Sequence, residues 1–198
     1  MPCSDIVLRY AKPARAGGFS MLEVLIAIIV LTVGLLGGAA LQASAMASNR
    51  DARIASAAVL YAREIGEMMR GNKTVALKTS AASNPYLIDS GSAAPVASAD
   101  CFQSACTSPS DLASWQMADW YGRVTNDLPG ARVLVCYDSA PYDASGTPQW
   151  PCTNSGGVAV VKIGWTRRTT DSGASTATAF DRATTPALVV PITAGSTQ

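Results

Sequence analysis

The stretch Gly17-Gly18-Phe19-Ser-Met-Leu-Glu23-Val-Leu-Ile-Ala-Ile-Ile-Val-Leu-Thr32-Val-Gly34-Leu-Leu-Gly37-Gly38-Ala-Ala-Leu41 decides how this chain is built. From Val24 to Leu41 its one polar side chain is Thr32, and between Arg15 and Arg50 the one charged side chain is Glu23. A helix over residues 19–41 measures about 34 Å at 1.5 Å per residue, enough to cross a hydrocarbon core of about 30 Å. Arg9, Lys12 and Arg15 precede it, against Asp5 alone. Basic flanks stay in the cytoplasm, so the segment is expected to span a membrane once, with everything after Leu41 on the far side.

An ordinary secretory signal places its small-residue cleavage site after the apolar run. Here Ala16-Gly17-Gly18 come before it, and a carboxylate follows at Glu23. Gly17-Gly18-Phe19-Ser20-Met21-Leu22-Glu23 resembles the prepilin peptidase site. The resemblance implies a cut between Gly18 and Phe19 on the cytoplasmic face, loss of the basic leader 1–18, and methylation of the new amine of Phe19. Gly34-Leu-Leu-Gly37, Leu41-Gln42 and Met69-Arg-Gly-Asn72 extend the likeness over residues 16–72 to the PilV-type minor pilins, the type IV pilus modification proteins. Major pilins usually carry a proline where this chain has Ala40.

That resemblance implies an α+β, pilin-like fold, in which a long N-terminal helix, transmembrane and then amphipathic, packs on a small antiparallel β-sheet. It implies a low-abundance subunit that is incorporated into, or primes, the type IV pilus. The implied partners are prepilin peptidase, other major and minor pilins, the inner-membrane assembly platform, and the lipid bilayer before assembly. The implied location is the inner membrane, with a periplasmic C-terminal domain, and then the filament at the cell surface. A type II secretion pseudopilin would share the N-terminal chemistry, and an anchored periplasmic adhesin or enzyme is a third reading.

Composition narrows the choice. Fifteen Lys+Arg against 14 Asp+Glu make no basic field for a nucleic-acid backbone. The chain has no histidine, which removes the commonest general base and a common transition-metal ligand. No catalytic residue, cofactor or metal is assigned, and an enzyme is not expected. Loss of the leader takes Cys3 and leaves Cys101, Cys106, Cys136 and Cys152 in an oxidising compartment, where two disulfides are expected among three connectivities. The preferred pairing is Cys101–Cys106 and Cys136–Cys152, the second stapling the strands on either side of a loop of about 17 residues, worth about 3 kcal/mol.

Along the chain, residues 42–72 continue the helix with an apolar stripe at Ile54, Ala58, Tyr61, Ile65 and Met68, ending near Gly71-Asn72. Residues 73–198 form the exported α+β domain. Residues 73–110 read as a long surface connection with one short strand near Tyr86–Ile88. A second helix is expected over Asp111–Leu128, capped by Ser110 or Asp111, with Leu112, Trp115, Ala118 or Asp119, and Gly122 on one grid. Strands are expected at Ala131–Tyr137, Gly157–Thr166 and Ala187–Ile192, the last at an edge because of Pro191. Asp138 and Asp143 read as solvated loop acids, since the ordered spacing of a hand-type calcium loop is absent. Trp115, Trp120, Tyr121, Trp150 and Trp165 read as packing residues before any stacking platform.

Two features of the apolar run point to assembly. A carboxylate inside it is costly unless paired, and the α-amino group freed at Phe19 of a neighbouring copy is a ready cation for Glu23. Gly34, Gly37 and Gly38, beside Ala39 and Ala40, form a smooth strip along which helices could approach closely.

Overall fold

The computed structural model describes residues 18–154, 158–168, 180–181 and 184–195. The leader up to Gly17 lies outside them. Two compact units divide the chain, residues 1–47 and 48–198, and one helix, α1 (Met21–Gly71), contributes to both. The remaining elements are α2 (Lys73–Ala76), β1 (Ile88–Asp89), α3 (Pro109–Asp127), β2 (Arg132–Asp138), β3 (Val158–Gly164), β4 (Arg167–Arg168), β5 (Phe180–Asp181) and β6 (Leu188–Ile192). A long N-terminal helix with a small antiparallel sheet is the α+β, pilin-like arrangement expected from the sequence.

The main sheet runs β1-β2-β3-β6, each neighbour antiparallel, with Val161 opposite Val135 on one side and Val190 on the other. Pro191 lies on the edge strand β6, opposite Val160, the kind of strand on which a residue without an N–H is tolerated. The expected strand through Thr166 stops at Gly164, and β4 pairs with β5 in a separate two-stranded ribbon. Between α3 and β2, Gly130 takes a positive φ of 60° and leaves no room for a Cβ against the Thr166 side chain. The turn is closed by the Thr166 N–H donating to the Pro129 carbonyl at 2.8 Å.

On one face of the sheet Val133, Val135, Ala159, Val161, Ile163 and Ile192 join a core with α1 and α3. The stripe that α1 buries is Ala58, Ala62, Ile65 and Met69. Of the expected stripe only Ala58 and Ile65 are buried; Ile54, Tyr61 and Met68 are its half-buried shoulder. Gly66 is buried on the same face, and a Cβ there would stand in ordinary contact with Ile192 at 3.5 Å. The helix turns its alanines and glycine, which carry little hydrophobic signal, toward the sheet.

Helix α3 differs in the same way. Ala113, Met117, Trp120 and Val124 are buried at spacings of four, three and four, whereas Leu112 is exposed and Trp115 only half-buried under the Phe102 edge at 5.0 Å. Its cap is Ser108, not Ser110 or Asp111: the Ser108 Oγ accepts the Asp111 N–H at 3.0 Å and donates to the Asp111 carboxylate at 2.7 Å, with Pro109 in the first turn. Trp120 Nε1 donates to the Tyr61 carbonyl at 3.1 Å and Arg123 bridges Glu64 at 2.6 Å, so α3 is keyed to α1. Burial, then the hydrogen bond to Asp127, pushes the Tyr61 hydroxyl up to about 12.

The connection 73–110 is not all surface. Val75, Ala76 and Tyr86 are buried, and the fully buried Asn84 donates to the carbonyls of Ala76 and Lys78 at 3.1 and 2.7 Å while accepting the Tyr86 N–H. A satisfied asparagine can sit in a core, which a polar composition conceals.

The other face of the sheet carries Leu134, Cys136 and Asp138 of β2 with Lys162 of β3, covered by residues 139–154. Here Asp138 departs from expectation: it is buried, and so is Lys162, at 0% exposure. Lys162 Nζ donates to Asp138 Oδ2 at 2.6 Å and to the carbonyls of Gln149, Trp150 and Pro151 at 2.7, 3.4 and 2.8 Å. Asp143 is exposed as expected and holds its own turn through Ser145 and Thr147. The structure bonds Cys101 to Cys106 and Cys136 to Cys152. Cys152 lies in the covering loop, before β3, so the second bond fastens loop to strand and not strand to strand.

Burial by itself raises the Asp138 pKa; Lys162 and the N–H groups of Ala140 and Thr153 outweigh it, so the carboxyl titrates below its usual range. A depressed folded pKa contributes stability that is complete above the unfolded value, about 3.9, and is lost as pH falls through the folded one. The melting temperature is therefore expected to drop below about pH 4 more steeply for the native chain than for an Asp138→Leu, Lys162→Met double variant. Asp138→Ala alone, which strands the ammonium, is expected to cost about 3–5 kcal/mol in denaturant unfolding, more than the double variant loses.

Candidate assembly site at the N-terminus

In the first unit the backbone of Gly18, Phe19 and Ser20 precedes the helix, and Ser20 starts it. Its Oγ accepts the Leu22 N–H at 3.2 Å, and its carbonyl accepts the N–H groups of Glu23 and Val24 at 3.0 and 3.3 Å. Ser20 is an N-cap that the sequence reading missed, although Ser-x-x-Glu before an apolar run is a recognised helix-start signature. Glu23 then falls in the first turn, where the positive end of the helix dipole favours a carboxylate.

The Glu23 side chain makes no hydrogen bond or ion pair with the described residues, so its carboxylate remains available to a partner from outside the chain. Phe19 is exposed at 83%, four residues before it, and a cut at Gly18–Phe19 turns its nitrogen into an ammonium. Both groups sit at one end of the same helix.

Helix α1 runs unbroken through Gly34, Gly37 and Gly38. A Cβ built on any of the three meets nothing within 4 Å, so the strip is open. Residues at i, i+3 and i+4 share a helix face, and these three do. Thr32 satisfies its hydroxyl by donating to the Ile29 carbonyl at 2.8 Å, which removes the one remaining polar demand of the run. Val24, Leu25, Ile26, Ile28, Ile29, Val30, Leu31, Val33, Leu35, Leu36 and Leu41 are each about half exposed or more. The most apolar window of α1 is long enough to cross a bilayer, and none of it is buried. Cys101, Cys106, Cys136 and Cys152 belong to the second unit and take no part in this site. Cys136, Asp138 and Cys152 lie close together, but both thiols are spent in the disulfide and the carboxylate faces Lys162, so the trio is not a metal site.

Compared with models of known families, residues 13–39 match the prokaryotic N-terminal methylation motif. The motif marks a prepilin-type N-terminus, processed by prepilin peptidase. It supports the type IV pilin-like and pseudopilin class, and with the apolar helix that follows it suits an inner-membrane-anchored pilin. Comparison with curated proteins and with solved structures gives no match.

Cleavage at this motif sets a mass that can be measured. In membranes containing an active prepilin peptidase, intact-mass analysis is expected to give a chain beginning at Phe19 and heavier by one methyl group; a retained Met1 would contradict the assignment.

Proposed function

We propose that this protein is a minor pilin of the type IV pilus, anchored in the inner membrane by residues 19–41 and then drawn into the filament. The observation that carries the reading is the uncovered apolar helix with a single carboxylate, unpaired among the described residues, one turn from the cleavage point. Assembly moves the helix laterally out of lipid, and its apolar surface is buried again among neighbouring pilin helices. In the bilayer Glu23 lies about one turn from the headgroups and can stay near water. Inside a filament that water is gone, and an unpaired carboxylate would cost several kcal/mol. Facing the Phe19 ammonium of a neighbour, it recovers much of that cost and sets the axial register of the two helices. Gly34, Gly37 and Gly38 let the backbones approach where the helices cross.

The PilV-like run Met69-Arg-Gly-Asn72 and Ala40 in place of proline favour the minor pilin over a type II secretion pseudopilin. Deletion of the gene separates the two: loss of surface pili and twitching is expected, with exoprotein secretion retained.

Glu23→Val tests the pairing, because it removes the charge and its desolvation cost together. Insertion and leader cleavage are expected to continue, while the amount in sheared pili falls by about tenfold, equivalent to about 1.4 kcal/mol. Wild-type incorporation of Glu23→Val would reduce Glu23 to a favourable helix-start charge.

A further inference from the structure

We infer that a cavity on the outer face of the sheet binds a small carboxylate with an apolar body, recognised by Arg132. The cavity measures about 680 Å³, within the range of small-molecule sites, and lies between residues 79–81, β1, β2 and residues 150–154. Leu87, Leu134, Trp150 and Pro151 give it apolar walls, and Arg132 is the cation among its lining residues.

The guanidinium is held without spending its donors. Its Cζ stands 4.3 Å from the centroid of the Trp150 ring. Gly91 also lies against it: a Cβ there would come within 3.2 Å of Cζ and 3.0 Å of Nε. None of the Arg132 side-chain nitrogens donates a hydrogen bond to a described residue, and Nε is sealed from solvent without a partner. Asp89, which also lines the cavity, makes only a long ion pair with Nη2, its Oδ1 4.0 Å away and engaged by the Gly91 N–H at 2.9 Å. Trp150, only 7% exposed, contributes a second sealed donor, its Nε1, without a partner among the described residues.

Both of these donors are sealed, so a ligand entering the open cavity meets the outer nitrogens of the guanidinium. The side chain of Arg132 is 41% exposed, so the outer edge of its fork is reachable. That planar edge matches a carboxylate with two parallel bonds. The Trp150 face is already covered by Arg132, which leaves no aromatic platform for a neutral sugar. Inorganic phosphate would satisfy the cation but leave the apolar walls wet.

The full-length chain in detergent micelles, labelled with nitrogen-15, tests this through the Arg132 Nε–H and Trp150 Nε1–H resonances. Sodium benzoate is expected to shift both saturably, benzyl alcohol to shift neither, and acetate and inorganic phosphate to bind at least about tenfold more weakly. Arg132→Lys keeps the charge but loses the fork, and Gly91→Ala pushes on the guanidinium from the other side; each is expected to weaken benzoate by about tenfold or more. No saturable shift, an equal response to benzyl alcohol, tighter binding of phosphate, or full benzoate affinity in both variants overturns the assignment.

Discussion

The ammonium of Lys162 organises one side of the second unit's sheet. Removing a charge from water costs several kcal/mol unless its partners are well placed, and lysine has three donors to satisfy. Here one carboxylate and three successive carbonyls converge on Nζ. Residues 149–151 can point three carbonyls at one atom only in one conformation, and that conformation has consequences. It lays the Trp150 indole under Arg132, and it brings Cys152 to the strand that carries Cys136. The apolar contribution on this face is small, Leu134, Cys136 and Trp150 with Cys152 beside them. A flap of polar backbone is therefore fixed by one buried ion pair and one covalent bond where a second apolar layer is missing.

The first unit has the opposite problem, because it has apolar surface and nothing among the described residues to cover it. Fully burying a side chain of valine, leucine or isoleucine gains about 1.5–3 kcal/mol, and helix α1 exposes a long succession of them. In water that surface would drive aggregation. In a bilayer it is matched to its solvent, and the helix is also the form that satisfies every backbone group internally. Three glycines would each cost about 1 kcal/mol relative to alanine in a helix in water. Where exposed backbone has no water to compete for it, that cost shrinks, and the smooth strip remains.

How much of this was legible in the sequence depends on the residue. The apolar run, the helix that follows it, the strands rich in valine and isoleucine, and the edge proline could all be read locally, because period, length and a missing N–H are local facts. The buried faces of α1 and α3 were misread by about one position. Tyr61, Met68, Leu112 and Trp115 advertise hydrophobicity more loudly than Ala62 and Ala113, yet it is the alanines that lie on the buried faces, beside Ile65, Met69, Met117 and Trp120. Asp138 reads as a loop acid in the sequence because its partner is 24 residues away. The available signal was Lys162 itself, a charge inside Val158-Ala-Val-Val-Lys-Ile-Gly164 that strict apolar pairing could not explain. In the candidate site Gly18 and Phe19 follow from the resemblance to the prepilin peptidase site, Glu23 from a lone charge in an apolar run and the three glycines from their lack of side chains; the structure adds Ser20, whose capping role is present in Ser-x-x-Glu but overshadowed by Glu23.

The contrast between the units also accounts for where the family match falls. Residues 13–39 answer to a peptidase, a bilayer and, on the pilin reading, a neighbouring helix, and all three act on sequence directly: small residues before the cut, one carboxylate at a fixed distance after it, uniform apolarity beyond. The second unit answers to its own packing, which many hydrophobic sequences of suitable volume can satisfy. Its specific features are held by long-range geometry: Lys162 with Asp138, Asn84 with two carbonyls, Arg132 against Gly91 and Trp150. Such contacts leave little trace in any short stretch of chain. A helix shared by both units lets the first stay uniform for assembly while the second is free to carry a cavity of its own.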